Sequence, residues 1–242
     1  QPHVLICRSE HPLSDEIRRK IALFTNVEID GVIEARDVET IYEVPLSLKK
    51  QRLDDVIAER LGLDLPQPDM TSWTAMVNRV KHPSAGTAKI AVVGKYTDHI
   101  DSYKSIQESL IHGGIANDVK ADIHWLSSEV FDNGEGVEKL KEYDGLLIPG
   151  GFGPRGVEGM LETIRWAREN QMPFFGICLG LQCAVIEFAR NVCGLEGSHS
   201  SEFAEASPDP VICLLDSQLQ VTTMGGTMRL GAYPCALGEG TK

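Results

Sequence analysis

The chain has 242 residues, 42% hydrophobic and 24% charged, and its 35 acidic and 23 basic side chains give a formal net charge of -12. This is the composition of an ordinary globular protein, and an acidic chain with no Lys/Arg block or basic stripe does not read as a nucleic-acid binder. No apolar run approaches the ~20 residues of a membrane span, and Gln1, Pro2 and His3 lead directly into a strand rather than a signal peptide.

The absence of an initiating Met predicts a chain that begins inside a larger polypeptide. Residues 3–8, "HVLICR", read as a buried strand. A helix follows, with Ser14 as N-cap and Ile17, Ile21 and Phe24 on one face. "GVIEARDVETIYEVP" reads as a short strand and turn, and "PLSLKKQRLDDVIAERLGL" as one helix with Leu46, Leu53, Ile57 and Leu61 on its apolar side, closing near Gly62. These 65 residues form the tail of an α/β unit too small to bury its own core. Residues 66–88 carry three prolines and one expected helical turn near Trp73 to Val80, so they read as an interdomain linker ordered where Trp73 docks. From residue 89 to 242, strands alternate with helices. Strands "KIAVVGKY", "ADIHWLS", "DGLLIPGG" and "PFFGI" are separated by helices "SYKSIQESLIHGG", "GVEKLKEY" and "VEGMLETIRWAREN", and "GLQCAVIEFARNV" closes the series. That alternation predicts an α/β fold with a parallel sheet and helices on both faces.

The six cysteines show no C-x-x-C pair and no zinc spacing, which predicts reduced thiols of a cytoplasmic protein. Cys7, Cys183, Cys193, Cys213 and Cys235 read as core fillers. Cys178 differs. It stands in "GICLG", between Gly176 and Gly180, where a buried strand turns into a helix. Such a thiol fits either a packed core cysteine beside tight-turn glycines or a nucleophile on a strained turn, its thiolate favoured by the helix N-terminus. In the nucleophile reading, Gly176 and Gly180 give room for a substrate, and the Leu179 N–H can stabilise an oxyanion. One strand earlier lies a second glycine-rich end, "PGGFG", whose Gly150-Gly151-Phe152 turn can add another N–H. Two such ends in adjacent units favour the nucleophile.

"PGGFG" with "GICLGLQ" resembles the class I, triad-type glutamine amidotransferase domain. With "VGKYTDHIDSYKSIQESLIHGG", "GGFGPRGVEGM", "GGTMRLG" and "IALFTNVEIDGVIEARDVETIYEVP", the resemblance narrows to the CTP synthase family and covers essentially the whole chain. It implies a class I glutamine amidotransferase domain with a parallel sheet, preceded by the tail of an α/β amidoligase domain. It also implies a C–N ligase of pyrimidine biosynthesis that makes CTP from UTP, ATP and glutamine, with Mg²⁺, GTP as activator, and a homo-oligomer, a tetramer in the family.

By this resemblance Cys178 is the nucleophile. Gly150, Gly151, Phe152 and Leu179 frame the oxyanion, Gln182 faces the substrate, and Glu202 receives the α-ammonium of glutamine. Arg8 and Asp37 take the adenine side of ATP. Lys95, Tyr96, Asp101 and Lys104 lie where the family joins its two domains and responds to nucleotide, and Arg155 lies in a loop linked to GTP activation. Two other readings stand beside this one: the glutaminase part of another amidotransferase, such as a GMP synthetase, or a non-catalytic nucleotide-sensing module of the same fold.

A thiol nucleophile needs a His to move its proton and a carboxylate to orient that His. The family supplies both as a His-x-Glu motif near its C-terminus, and no such motif occurs before Lys242. His199 and Glu202 in "HSSE" are rejected as that pair, because the resemblance aligns this loop with substrate binding. The phosphate loop and Mg²⁺ carboxylates of ATP chemistry are also missing, and "VVGKY" is too short to replace them. The chain as given is therefore expected to run neither half-reaction efficiently, to bind no nucleotide tightly and to hold no metal.

Overall fold

The computed structural model describes residues 2–213, 236 and 238–240. Cys235 and "GGTMRLG" lie outside the described residues. The chain divides into two compact units, one of Gln1–Thr87 with Ser109–Ala121, the other of Ala88–Glu108 with Asp122–Lys242.

In the first unit, β1 (Leu5–Ser9) pairs in parallel with β2 (Val32–Arg36), in register from Leu5 opposite Val32 to Ser9 opposite Arg36. Between them runs α1 (Asp15–Thr25). Ser14 caps it as predicted, its hydroxyl accepting from Ile17 N at 3.3 Å, and Asn26 ends it at a left-handed φ of 52°. The expected apolar face of α1 is not buried: Phe24 is 85% exposed, and no residue of the helix is buried. A two-stranded sheet offers too little face to cover it.

The single helix expected over residues 45–63 is two, α2 (Val44–Lys50) and α3 (Leu53–Leu61), separated by Arg52 at φ 60°. The break has a cause at Gln51. Its side-chain amide accepts from Glu34 N at 2.8 Å and donates to Glu34 O at 2.7 Å, completing the edge of β2 as a strand would. The expected linker also holds more structure than one turn. Helix α4 (Thr71–Lys81) runs 11 residues, and Trp73 Nε1 donates to Tyr42 O at 2.8 Å, so Trp73 docks as expected.

The frame of the second unit is a four-stranded sheet ordered β4-β3-β5-β6, from β3 (Thr87–Gly94), β4 (Lys120–Ser127), β5 (Gly145–Ile148) and β6 (Phe174–Gly176). The β3/β5 and β5/β6 pairs are parallel, as the alternating pattern predicts. Helix α5 (Lys104–Ala116) follows β3, α6 (Val157–Glu169) follows β5, and α7 (Leu179–Asn191) follows β6. Ala91, Val93, Leu146, Ile148, Met160, Ile164 and Ile186 join the core between sheet and helices. "GVEKLKEY" forms a 3-10 helix, Val137–Glu142, not an α-helix. It is six residues long, starts at a left-handed Gly136 and is anchored by the buried Leu140, too short for α-helical propagation to be favoured. A small parallel pair, β7 (Ser198–Ser200) with β8 (Asp209–Ile212), follows.

The expectation of core cysteines holds for Cys183 alone among the described ones. Cys193 and Cys213 are exposed and Cys7, in the two-stranded sheet, is half-buried. No described helix is long and apolar enough to cross a membrane.

Candidate active site

Cys178 sits where β6 becomes α7. Ile177 N donates to Ile148 O at 2.9 Å and so carries the strand pairing one residue past β6, after which the chain reverses. Cys178 then takes φ 53° and ψ -106°, backbone a side chain rarely adopts, at a cost of about 1–3 kcal/mol that the surrounding packing must offset. The helix begins immediately, with Gly180 N bonded to Ile177 O and Gln182 N to Cys178 O. The thiol is exposed, and the Leu179 N–H is the first of the helix's N-terminal donors.

The two flanking glycines act differently from the sequence-based expectation. A Cβ at Gly176 would stand 2.6 Å from the Gly180 carbonyl group, and one at Gly180 would run into the Ile148 carbonyl. They let strand and helix backbones pack against each other and so force the turn; they do not open space for a substrate. The glycine that faces the thiol is Gly150, whose added Cβ would lie 3.5 Å from Cys178 Cβ and 4.0 Å from Sγ. Five residues on, Cys183 is fully buried, and burial pushes its thiol up to about 12.

The second glycine-rich end, residues 149–153, is strapped down. Phe152 N donates to Tyr96 Oη at 3.2 Å, so the Phe152 N–H is already engaged, and within this turn it is Gly150 that faces the thiol. Lys95, only 5% exposed, donates from Nζ to Phe152 O at 3.3 Å and to Gly153 O. Arg155 donates to Lys95 O at 2.9 Å and pairs with Glu129. Tyr103 Oη accepts from the backbone N–H groups of Lys95 (3.1 Å) and Tyr96 (3.2 Å), and its ring stacks on Trp125 at 5.5 Å. Burial holds the Lys95 ammonium below the ordinary lysine range, and the neighbouring Arg155 charge pushes the same way.

Glu202 is exposed in the turn after β7, its N–H donating to the buried Ser200 Oγ at 3.2 Å. Gln182 is half-buried on the first turn of α7. The Phe203 ring lies 5.8 Å from Lys95 Nζ, so the loop bearing Glu202 and the turn over Cys178 meet at one lysine. His199 faces elsewhere. Its Nδ1 accepts from Ser200 N at 2.9 Å, and its Nε2 lies 3.8 Å from Glu158, which Arg190 holds at 3.0 Å. Burial and the Arg190 charge lower its pKa against the pull of Glu158. No hydrogen bond among the described residues joins His199 to Cys178 or to Glu202.

Arg8 and Asp37 are brought together at the carboxyl ends of β1 and β2, 3.3 Å apart and largely exposed. Lys104 pairs with Glu108 along α5 at 2.8 Å, and Asp101 is exposed in the 3-10 turn before it. Among the described residues no three His, Cys, Asp or Glu side chains group as metal ligands. Sequence reading missed the tie between Lys95, Tyr96, Tyr103 and the 149–153 turn. Its one legible sign was a lysine placed directly after the most apolar stretch of β3, where the backbone carries a side chain into the interior.

The family model described as "Glutamine amidotransferase class-I" matches residues 98–242, and that described as "CTP synthase N-terminus" matches residues 1–63. A CTP synthase of Methanocaldococcus jannaschii is 53% identical over 247 residues, covering 100% of this chain and 46% of that protein. One of Ruminiclostridium cellulolyticum is 52% identical over 241 residues, covering 100% and 45%. The chain thus spans about half the length of the curated relatives it matches. Among solved structures, the glutaminase domain of Trypanosoma brucei CTPS with bound acivicin is similar, with TM-score 0.52 and 39% identity, covering 54% of this chain and 51% of that one.

Proposed function

The chain belongs to the CTP synthase family of class-I glutamine amidotransferases, and we propose that it carries the glutamine-hydrolysing site of an enzyme that aminates UTP to CTP. Cys178 Sγ attacks the side-chain amide carbon of glutamine. The oxyanion that forms is met by the Leu179 N–H and the Gly150–Gly151 peptide. Collapse expels the amide nitrogen, which takes up a proton and leaves as ammonia, and a γ-glutamyl thioester remains on Cys178. Water then cleaves the thioester to glutamate and restores the thiol. Glu202 receives the substrate's α-ammonium and Gln182 lines its other side. The ammonia would be consumed where ATP phosphorylates the uracil O4 of UTP, with Arg8 and Asp37 on the adenine side and GTP as activator through the region of Asp101, Lys104 and Arg155. The boundaries that go with this reading are 1–65 for the amidoligase tail, 66–88 for the linker and 89–242 for the amidotransferase part. The working protein is a cytoplasmic homo-oligomer.

One observation carries the reading: an exposed cysteine at positive φ between strand and helix, facing Gly150, where an added Cβ would lie 3.5 Å from the Cys178 Cβ. Because His199 faces Glu158 and accepts from the Ser200 N–H, the thiol's proton acceptor is assigned outside the described residues. The 242-residue chain alone is therefore expected to hydrolyse glutamine poorly. The test is ammonia release from glutamine by the chain and by the full-length protein, each with its Cys178→Ala counterpart. Turnover in the full-length protein that Cys178→Ala abolishes is the expected result. Cys178-dependent turnover by the chain alone, at the full-length rate, would refute the assignment of the base.

A further inference from the structure

Lys95 and Tyr96 follow a strand whose last four residues, Ala91 to Gly94, are all buried. Both side chains end on one short turn. The Phe152 N–H belongs to the peptide joining Gly151 to Phe152, and Tyr96 Oη accepts from it. The Phe152 and Gly153 carbonyls belong to the next two peptides, and both accept from Lys95 Nζ. Three consecutive peptide planes are thus held, the first by its donor edge and the next two by their acceptor edges. The plane immediately upstream joins Gly151 to Gly150, the glycine whose added Cβ would lie 3.5 Å from the Cys178 Cβ. Two glycines in a row have wide conformational freedom, and nothing in their own chemistry sets which way that peptide points.

The anchor itself is anchored. Tyr103 Oη fixes the backbone N–H groups of Lys95 and Tyr96, and its ring lies flat on Trp125, the planes 4° apart. Arg155 closes the circuit onto Lys95 O. A lysine this buried, with its Nζ on two backbone carbonyls and in no close ion pair among the described residues, is a poor way to gain stability, since its desolvation is offset mainly by hydrogen bonds to neutral acceptors. An apolar side chain of like volume would fill the space at less cost. The ammonium therefore has a use that filling space does not explain.

We propose that Lys95, with Tyr96, is a positioning residue for glutamine hydrolysis, aiming the Gly150–Gly151 peptide at the oxyanion formed on Cys178. The proposal rests on the glutaminase reading and deepens it. It moves Lys95 and Tyr96 from the nucleotide-responsive set, where the resemblance puts them, into the thiol's own surroundings. Burial and the nearby Arg155 charge weaken the lysine's hold on its proton, which fits a residue kept for placement.

The test uses the full-length protein with Lys95→Met, Tyr96→Phe and Cys178→Ala, and reads four quantities: kcat and KM for glutamine hydrolysis, CTP formation from free ammonia, and the rate of Cys178 alkylation by iodoacetamide. Losing one oxyanion donor slows an acyl transfer by about 10²–10³-fold. Lys95→Met is expected to lower kcat by about 30- to 300-fold, leaving KM within about threefold and ammonia-dependent synthesis and Cys178 alkylation unchanged. Tyr96→Phe is expected to lower kcat by about 3- to 10-fold, and it decides the matter where Lys95→Met does not fold. Wild-type kcat in Lys95→Met or Tyr96→Phe overturns the proposal, as does a fall in kcat accompanied by equal losses of ammonia-dependent synthesis and alkylation. If Cys178→Ala retains hydrolysis, the glutaminase reading itself has failed, and that result is told apart from the others by this control.

Discussion

Cys178 and the Arg8–Asp37 pair both stand at the carboxyl ends of parallel strands, where an α/β sheet gathers its chemistry, but they are built by different means. The Cys178 turn is made of backbone. Its φ of 53°, the close passage of Gly176 against Gly180, and the approach of Gly150 are enforced by chain geometry and by the buried core behind it. The Arg8–Asp37 pair is made of two exposed side chains over a two-stranded sheet whose neighbouring helix leaves Phe24 in solvent. A site of the first kind keeps its form within its own unit; one of the second kind is worth little until other surroundings hold it.

The largest expected contrast lies between the two cysteines of α7's start. With its thiol pushed up to about 12, Cys183 holds only about one thiolate in 10⁴ at pH 8. Iodoacetamide is expected to modify Cys178 and leave Cys183 untouched in the folded protein, as peptide mass mapping would show; equal labelling would break the contrast. The same shift works on stability. Because folding raises this pKa above its usual 9.0, the folded state holds the proton longer than the unfolded state, and stability is lost as pH climbs from 9 toward 12. Replacing Cys183 by Ala should flatten that decline in a pH series of melts.

Next comes Gly176→Ala. Its Cβ must move the Gly180 backbone 2.6 Å away, which is expected to cost about 1–3 kcal/mol of stability and, by displacing the nucleophile, about 10²-fold in kcat. A melting curve and a turnover assay that both match wild type would show that the turn is not set by backbone packing. Glu202→Gln removes a charged acceptor for the substrate ammonium while keeping its shape. The KM for glutamine should rise about 10- to 100-fold, the equivalent of a charge-assisted hydrogen bond, with kcat little changed. The smallest effect belongs to the exposed pair: Asp37→Asn should alter stability by less than about 1 kcal/mol, and a larger loss would show that the pair is structural.

What could be read in the sequence follows the same division. The Cys178 turn was legible because glycines at fixed spacing around a cysteine are local, and the alternating apolar runs gave the parallel strands. Contacts across the chain were not legible. Gln51 breaks a helix by pairing with Glu34, 17 residues away, and no periodicity within residues 45–63 announces it. Lys95 reaches carbonyls 57 and 58 residues on, so its adjacency to a glycine turn depends on β3 and β5 lying side by side. The exposed face of α1 was misread for a related reason. Periodicity reports that a helix has an apolar face, not whether anything in its own unit covers it.

The central claim is that Cys178 is the nucleophile toward glutamine, and the direct measurement is capture of the acyl-enzyme. The full-length protein is mixed with glutamine, quenched in acid during turnover, digested and mapped by mass spectrometry. The account predicts a γ-glutamyl group on the peptide containing Cys178, absent from Cys178→Ala and lost on neutral incubation as the thioester hydrolyses. Sustained ammonia release with the adduct on another residue, or in the Cys178→Ala protein, would contradict it.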